Sequence, residues 1–554
     1  MATKDSQFRP PDLELLFGKS KEELRDFQLV SLEVRHGINQ IPTAKLILSS
    51  SKGIGWDAEK FGKDIKLCRI GESVELKIKS GDSVLFSGVV VQQECLLNMD
   101  RLDISLKMKH NLHRWNIVRR SKIFEDMSDA DILRVILKDT DIHDEETTVG
   151  KLEAMAAVHQ QMIQFDCTDW QFIKARLNAN GVWLMPTPEG IDVVVPKLTG
   201  KTDHTIYRSA EKNKSDILMS EARWQFNSEI QPEKIEVFDW EMPEQKMSDA
   251  YEGKSLEMGR DALDPAKLPA LTTLPWTIAH SLTLAGEEQL ALANGRLLSR
   301  QASGIVASFT VLGNANYALG QSLAISGYGE HLDGVGLISE ITHAMTQGTW
   351  RTTLTLGKET RGTPEDSLIP SVPGLHIGIV AEYEEDPNTD WNRIKVIIPM
   401  LRLDDQPLWA RFAAPYASKD SGLCLYPEPG DEVVLGFFEE DPRHPVILGA
   451  LHNPINKPPY PPSEENAEKG LFLSVDGLVQ SLIFDREQAT ATLTLTKDDD
   501  KHELKFSEDG ISLSTVKDIT AEAEENITLK AEKKLKAEGV DGVDVVGKKV
   551  DLKN

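Results

Sequence analysis

Several groups of residues have types and spacings that could do chemistry, and each meets a specific obstacle. Gly18-Lys19-Ser20 has the ending of a phosphate-cradling loop, which would hold a nucleotide through a lysine and a hydroxyl. Leu13, however, stands where the first glycine must let backbone N–H groups reach phosphate. His110 and His113 could share a metal, but they lie at an apparent strand end, where residues three apart do not share a face. Asp386, Asn388 and Asp390 open like a calcium loop, yet its sixth position is Trp391 rather than Gly and its twelfth is Ile397 rather than Glu. The adjacent pairs Glu384-Glu385 and Glu439-Glu440 could be acid/base carboxylates, but among 88 acidic residues such pairs carry little information. No G-x-S-x-G nucleophile elbow occurs in the chain. The reading is therefore not an enzyme: no catalytic residue, no metal and no cofactor is expected.

The elements that would position any such site are mostly strands. The chain has 554 residues and a formal charge of −26, which disfavours nucleic acid as principal partner. The four cysteines, Cys68, Cys95, Cys167 and Cys424, lack metal or redox spacing and are expected as reduced core residues of a cytoplasmic protein. The first residues lack the apolar segment of an export signal, and no run of 18 apolar residues is present to span a membrane. Residues 27–110 alternate apolar and polar as a barrel or sandwich does, with turns at Gly81-Asp82 and Asn98–Arg101. Capping-box patterns at Ser128/Asp131 and Thr168/Gln171 start two helices, the second ending at Asn180-Gly181 before a hairpin. Strands return over 217–240. Residues 241–275, with four prolines, read as a loop or poorly ordered linker. Glu287–Arg300 carries Leu290, Ala293 and Leu297 at helical spacing, and four more strands follow. The order implies two related β-domains bracketing a smaller α+β insert.

Residues 375–455 hold five short strand candidates, GIVAEY, NRIKVIIPM, LWARFA, DEVVLGFF and PVILGAL, which fit a small OB-type barrel. Its six basic residues against fourteen acidic ones disfavour nucleic-acid binding there. Pro429-Gly430-Asp431 reads as the tight turn that sets up a strand. Trp409 and Arg411 alternate with Ala410 and Phe412, offering either a functional Trp/Arg face or an ordinary barrel strand. A Pro-rich joint then leads through four strand candidates into the last stretch. From Ile511 the chain falls into rows of eight: ISLSTVKD, ITAEAEEN, ITLKAEKK, LKAEGVDG and VDVVGKKV. Row starts Ile511, Ile519, Ile527, Leu535 and Val543 are apolar, and so are the third residues Leu513, Ala521, Leu529, Ala537 and Val545. Apolar residues two apart mark a strand with one buried face, and a fixed repeat of such strands marks a solenoid. An amphipathic helix is the alternative, but residues eight apart fall about 80° apart around a helix, and Gly539, Gly542 and Gly547 would break it. A lone ribbon of octads could not offset about 1–2 kcal/mol per residue of backbone ordering, so the repeat is expected to pair with identical chains as an intertwined β-prism.

Taken together, these residues resemble VgrG-type spike proteins of contractile injection systems, which are related to the hub and needle proteins of phage tails. The resemblance is closest over NRIKVIIP, LWARFAAPYAS and GLCLYPEPGDEVVLGFFEEDPRHPVILGALHN, which include Trp409, Arg411, Pro429, Gly430, Asp431 and Gly449 as structural residues of the family's OB domain. It implies a mainly β multidomain fold: a first hub β-barrel at 1–120, an α+β insert at 121–205, and a second hub barrel with linker at 206–370. An OB-fold domain at 371–457 follows, then a joint with connecting strands at 458–510 and the octad β-helix spike at 511–554. It also implies a homotrimer whose barrels alternate in a near-sixfold ring on a hexameric inner tube protein. Baseplate proteins, a PAAR-like tip protein, effector cargo and, on firing, the target membrane are the further partners it implies. Such a protein is made without a signal peptide and sits at the baseplate end of the particle. The stretch between Asn453 and Gly470 is too short for the lysozyme domain of some phage relatives. No toxin domain follows the prism before Asn554, so a blunt prism needing a cap is expected, in a compact form that favours an extracellular particle over other injection systems. A cell-wall hydrolase and a receptor-binding tail protein are the competing readings. The second would need exposed aromatics near the C-terminus, and residues 511–554 contain none.

Overall fold

The computed structural model describes residues 13–551 except 25–26, 51–57, 80–82, 99–100, 140–146, 188–189, 209–218, 230, 347, 359–367, 388–390 and 404–405. The expected turns at Gly81-Asp82 and after Asn98 fall outside the described residues, as do Asn388 and Asp390. The protein is mainly β and divides into two compact units, one ending at Leu451 and one beginning at His452.

In the first unit a 14-stranded sheet joins strands from both expected hub barrels. Strand Phe27–Gly37 pairs antiparallel with Gly334–Thr346, from Gly37 opposite Glu340 to Ser31 opposite Thr346. One side of this seam wraps a core that includes Val34, Leu46, Leu76, Ile104 and Met345; the other wraps Phe309, Ile325, Ile341 and Leu354. Two-residue alternation places these side chains, because every second residue of a strand faces the same way. Ala44, Leu46 and Leu48 are buried along Thr43–Ser50, as are Leu102, Ile104, Leu106 and Met108 along Arg101–Lys109.

The insert contains helices α2 (Asp129–Leu137) and α3 (Asp169–Asn180), following α1 (Ala58–Leu67). Thr168 and Gln171 form the full capping box at α3, whereas Ser128 only accepts from the Asp131 backbone N–H and donates to the Asp131 carboxylate. Helix α3 ends at Gly181 with φ +65°, and a Cβ there would come within 2.4 Å of the Gly295 Cα. Two glycines thus let the end of α3 touch helix α4 (Gly286–Gly304) backbone to backbone. On α4, Ala293 and Leu297 are buried as expected, while Leu290 is exposed and Leu292 and Leu298 fill the core in its place.

Residues 241–275 are not a linker. Tyr251–Glu252 pairs with Ile235–Phe238, Gly259–Asp261 pairs with the seam strand Gly334–Thr346, and Met258 and Leu263 are buried. Strands of two or three residues are too short to display an alternation, so the sequence hid them. The cysteine reading needs correction as well: Cys68 and Cys167 are buried, but Cys95 and Cys424 are exposed. Cys95 lies near the far end of the long strand Ser83–Asn98, where residues 94–98 are all exposed.

The OB region is a closed five-stranded barrel in the order His376–Val380, Ile394–Ile397, Leu408–Phe412, Pro445–Leu451, Glu432–Phe437. All five sequence candidates appear, packed around Val396, Leu408, Ala410, Val433, Leu435 and Ile447. The second unit is a meander of Glu468–Val475, Leu478–Asp485, Thr490–Lys497, Asp500–Ser507 and Gly510–Thr515. From Val516 to Asp551 the chain has no regular hydrogen-bonded element. No described helix is long and apolar enough to cross a membrane.

Candidate association surface

The meander is built so that one face of its sheet is apolar. In its antiparallel register Leu471 lies opposite Leu482, Leu482 opposite Leu493, Leu493 opposite Leu504, and Leu504 opposite Leu513. Directly opposed residues share a face, so one leucine from each strand forms a continuous row. A flanking row runs Phe484, Ala491, Phe506, Ile511, and Leu473 and Leu495 lie on the other side of the leucines. The opposite face carries Ser481, Thr492, Thr494, Glu503, Lys505 and Ser512, with Phe472, Val479 and Ile483 on its first two strands. Leu493 is 53 % and Leu513 59 % exposed. Sequence reading found these strands but missed the row, although Leu471, Leu482, Leu493 and Leu504 stand eleven residues apart throughout.

The ten octad positions continue this exposure. Ile511 and Leu513 lie on the last strand. Ile519, Ala521, Ile527, Leu529, Leu535, Ala537, Val543 and Val545 follow it without regular pairing, and all ten side chains are exposed, Val545 at 71 %. A single chain therefore brings none of the octad positions into a core. So many exposed apolar side chains make this region a candidate association surface.

In the OB barrel the residues singled out from the sequence have the following surroundings. Lys395 Nζ lies 5.1 Å and the Arg393 guanidinium 5.6 Å from the Trp409 ring centroid, and Arg411 lies over Phe438. Gly430 has φ +89° and donates its N–H to Val380 O, while Asp431 accepts from the Glu428 N–H, closing the turn. Gly449 sits opposite Val434 with open space where a Cβ would go.

A buried ionic cluster, not anticipated from sequence, joins the insert, α4 and the OB barrel. Arg176 on α3 donates to both Asp129 carboxylate oxygens at 2.7 and 2.9 Å, to Glu288 at 3.1 Å and to Leu368 O at 2.9 Å. Arg443 donates to both Glu288 oxygens at 3.1 Å and to Asp441 at 2.8 Å. His159 lies 3.2 Å from Asp129 and 3.6 Å from Glu288. Burial alone would raise the Asp129 and Glu288 carboxyls, but the guanidiniums and His159 hold both well below the usual range. Burial would likewise lower His159, yet its bonds to Asp129 and Glu288 leave it raised overall. Protonated His159 balances the cluster at three positive and three negative groups. Beside it, Glu439, in a left-handed conformation, accepts from the Ser281 hydroxyl and pairs with His280, both at 2.7 Å.

The other chemical candidates resolve into structure. Gly18-Lys19-Ser20 is a surface turn. His110 caps a 3₁₀ turn, Asn111–Asn116, whose backbone leaves the strand, and His113 bonds back to His110 O. Asp386 is bound by Arg393 through both carboxylate oxygens. No group of three metal-ligating side chains occurs among the described residues.

Residues 18–347 match the family model described as the Alg8 N-terminal domain, over more than half of the chain. Residues 376–452 match the type VI secretion system/phage-baseplate injector OB domain. The chain belongs to the Alg8 N-terminal-domain family and is a VgrG-type spike protein. Among curated relatives, the type VI secretion system spike protein VgrG2a of Pseudomonas aeruginosa is 30 % identical over 97 residues, 16 % of this chain and 12 % of that protein. The actin cross-linking toxin VgrG1 of Vibrio cholerae is 31 % identical over 97 residues, 16 % of this chain and 9 % of the toxin. The match thus spans only about a tenth of those relatives. Among solved structures, the lidded PdpA–VgrG complex of Francisella aligns with TM-score 0.58 and 10 % identity, covering 92 % of this chain and 81 % of that one. An E. coli type VI secretion component, described as similar to the T4 bacteriophage tail proteins gp27 and gp5, aligns with TM-score 0.51 and 14 % identity, covering 79 % of this chain and 100 % of that one. At these identities the structural matches establish the fold.

Proposed function

We propose that three copies of this spike chain assemble through the apolar face of residues 468–515, and continue through the octads as an intertwined β-prism. The trimer is the central spike at the baseplate end of a contractile injection machine. The large sheet docks on a hexameric inner tube, and the prism, tipped by a PAAR-like protein, is driven into the target membrane when the sheath contracts. The leucine row is the observation that supports this reading. Five strands present their apolar faces in register, and at roughly 1.5–3 kcal/mol per fully buried large aliphatic, three such faces meeting on an axis supply what one ribbon lacks. Interchain pairing would also leave no strand edge of the prism open. Native mass spectrometry of the purified chain tests it: a trimer is expected, and a stable monomer at micromolar concentration would sink the reading.

A further inference from the structure

At the seam between the two cores of the large sheet lies a cavity of about 230 Å³, lined by His36, His110, His343 and Tyr317 among mostly apolar side chains. On the seam strand Gly334–Thr346, Ile341 enters one core and Met345 the other, and His343 sits between them. His36 lies opposite Ile341 on the paired strand Phe27–Gly37. His110 closes the third side.

Each ring makes a hydrogen bond within the fold, and that of His110 requires a neutral imidazole. His36 Nε2 donates to Leu85 O at 2.8 Å. His343 Nδ1 lies 2.9 Å from the Thr352 hydroxyl, whose oxygen also accepts from the Asn314 N–H. His110 Nδ1 accepts from the Leu112 N–H at 3.3 Å, capping the turn that carries buried Leu112 and Trp115, and its other side meets the Thr187 backbone. A proton on that Nδ1 would set donor against donor and remove the cap. Burial lowers all three histidines, His110 to about 4 and His343 to about 3, and His36 adds repulsion to the other two. The charged or titratable neighbours are His113, flanked by Lys109 and Arg114, and Tyr317, whose ring meets His204 edge-on at 4.7 Å. Among the described residues no carboxylate lines the cavity to receive a proton's charge.

We propose that this three-histidine seam is an acid-triggered joint: protonation of His36, His110 and His343 opens the Phe27–Gly37/Gly334–Thr346 pairing and separates the two cores, while the OB barrel stays folded. The sign follows from linkage. The open state keeps ordinary imidazoles near 6.5, so between that pH and the lowered folded-state values it binds more protons, and acid favours opening. Hydrogen exchange of the full chain, read by mass spectrometry from pH 7 to 4 and corrected for intrinsic rates, tests this. Seam peptides covering 31–37 and 340–346 should gain on the order of a hundredfold in opening between pH 6.5 and 4 for a group lowered by about two and a half units. Peptides of the OB strands should not. The double variant His110→Asn/His343→Gln, whose asparagine keeps the acceptor for Leu112 but does not titrate, should lose most of the step. Seam and OB peptides opening together, or a variant profile like that of the unaltered chain, would overturn the proposal. Should the double variant fail to fold at pH 7, His110→Asn alone must reduce the slope, and an unchanged slope overturns it equally.

Discussion

The two units of this chain carry the same two-residue alternation and turn it in opposite directions. In the large sheet, Ala44, Leu46 and Leu48 on one strand and Ile104, Leu106 and Met108 on its neighbour are buried, because the sheet curls around its cores. In the meander, Leu482 and Phe484 on one strand and Leu493 and Leu495 on the next are exposed, because nothing within their own unit covers them. Period two tells which residues share a face. It does not tell whether the cover comes from the same chain or from another one.

Paired substitutions break this comparison most sharply. Leu46→Asp puts a charge into a closed core and should leave the chain unable to fold its first unit, with loss of cooperative melting and of soluble yield. Leu493→Asp should leave that unit's melting unchanged and convert the assembly to monomers in sedimentation. A folded oligomer from both, or a folding failure from both, would remove the distinction between core and association face. Next in size is Arg443→Met. It leaves Asp441 without its guanidinium and Glu288 with only Arg176 and His159, and urea denaturation should show a loss of about 3–5 kcal/mol, while the oligomeric state stays the same. Thr168→Ala removes the N-cap of α3 and should cost about 1 kcal/mol in the same measurement. The smallest effect is one of pH. His159 is raised in the folded state, so its contribution is complete below the unfolded value near 6.5 and is lost as pH rises through the folded value. His159→Gln should flatten that alkaline limb of the stability profile, and an unaltered limb would show that another group carries it.

The OB barrel was the most legible region. Each strand is short and bounded by a turn with its own chemistry, such as Gly430 at φ +89°, and each buries alternate residues. The caps of α2 and α3 were equally local, since Ser128 and Thr168 act on backbone groups three residues on. What escaped was non-local or inconspicuous. Arg176, Glu288 and Arg443 carry no local signal, because only the packing of α3, α4 and the OB loop brings each guanidinium to 3.1 Å from Glu288. Glu439 was set aside as one carboxylate among many, yet it holds His280 and Ser281. The leucine row was half legible. Its spacing is in the sequence, but its register depends on hairpin geometry.

The sequence by itself determined many local choices: the OB strands, the caps of α2 and α3, which side chains of a strand share a face, and that the octads are too poor in apolar bulk to fold alone; it did not show α1 or the short strands of 241–275. Those choices follow from backbone sterics, capping and periodicity within a few residues. Only the tertiary structure decided that strands 31–37 and 340–346 pair across three hundred residues, that three histidines meet at that seam, and that the leucines of the meander face outward. Such choices depend on which distant surfaces exclude water from one another, and a two-residue period is silent about that.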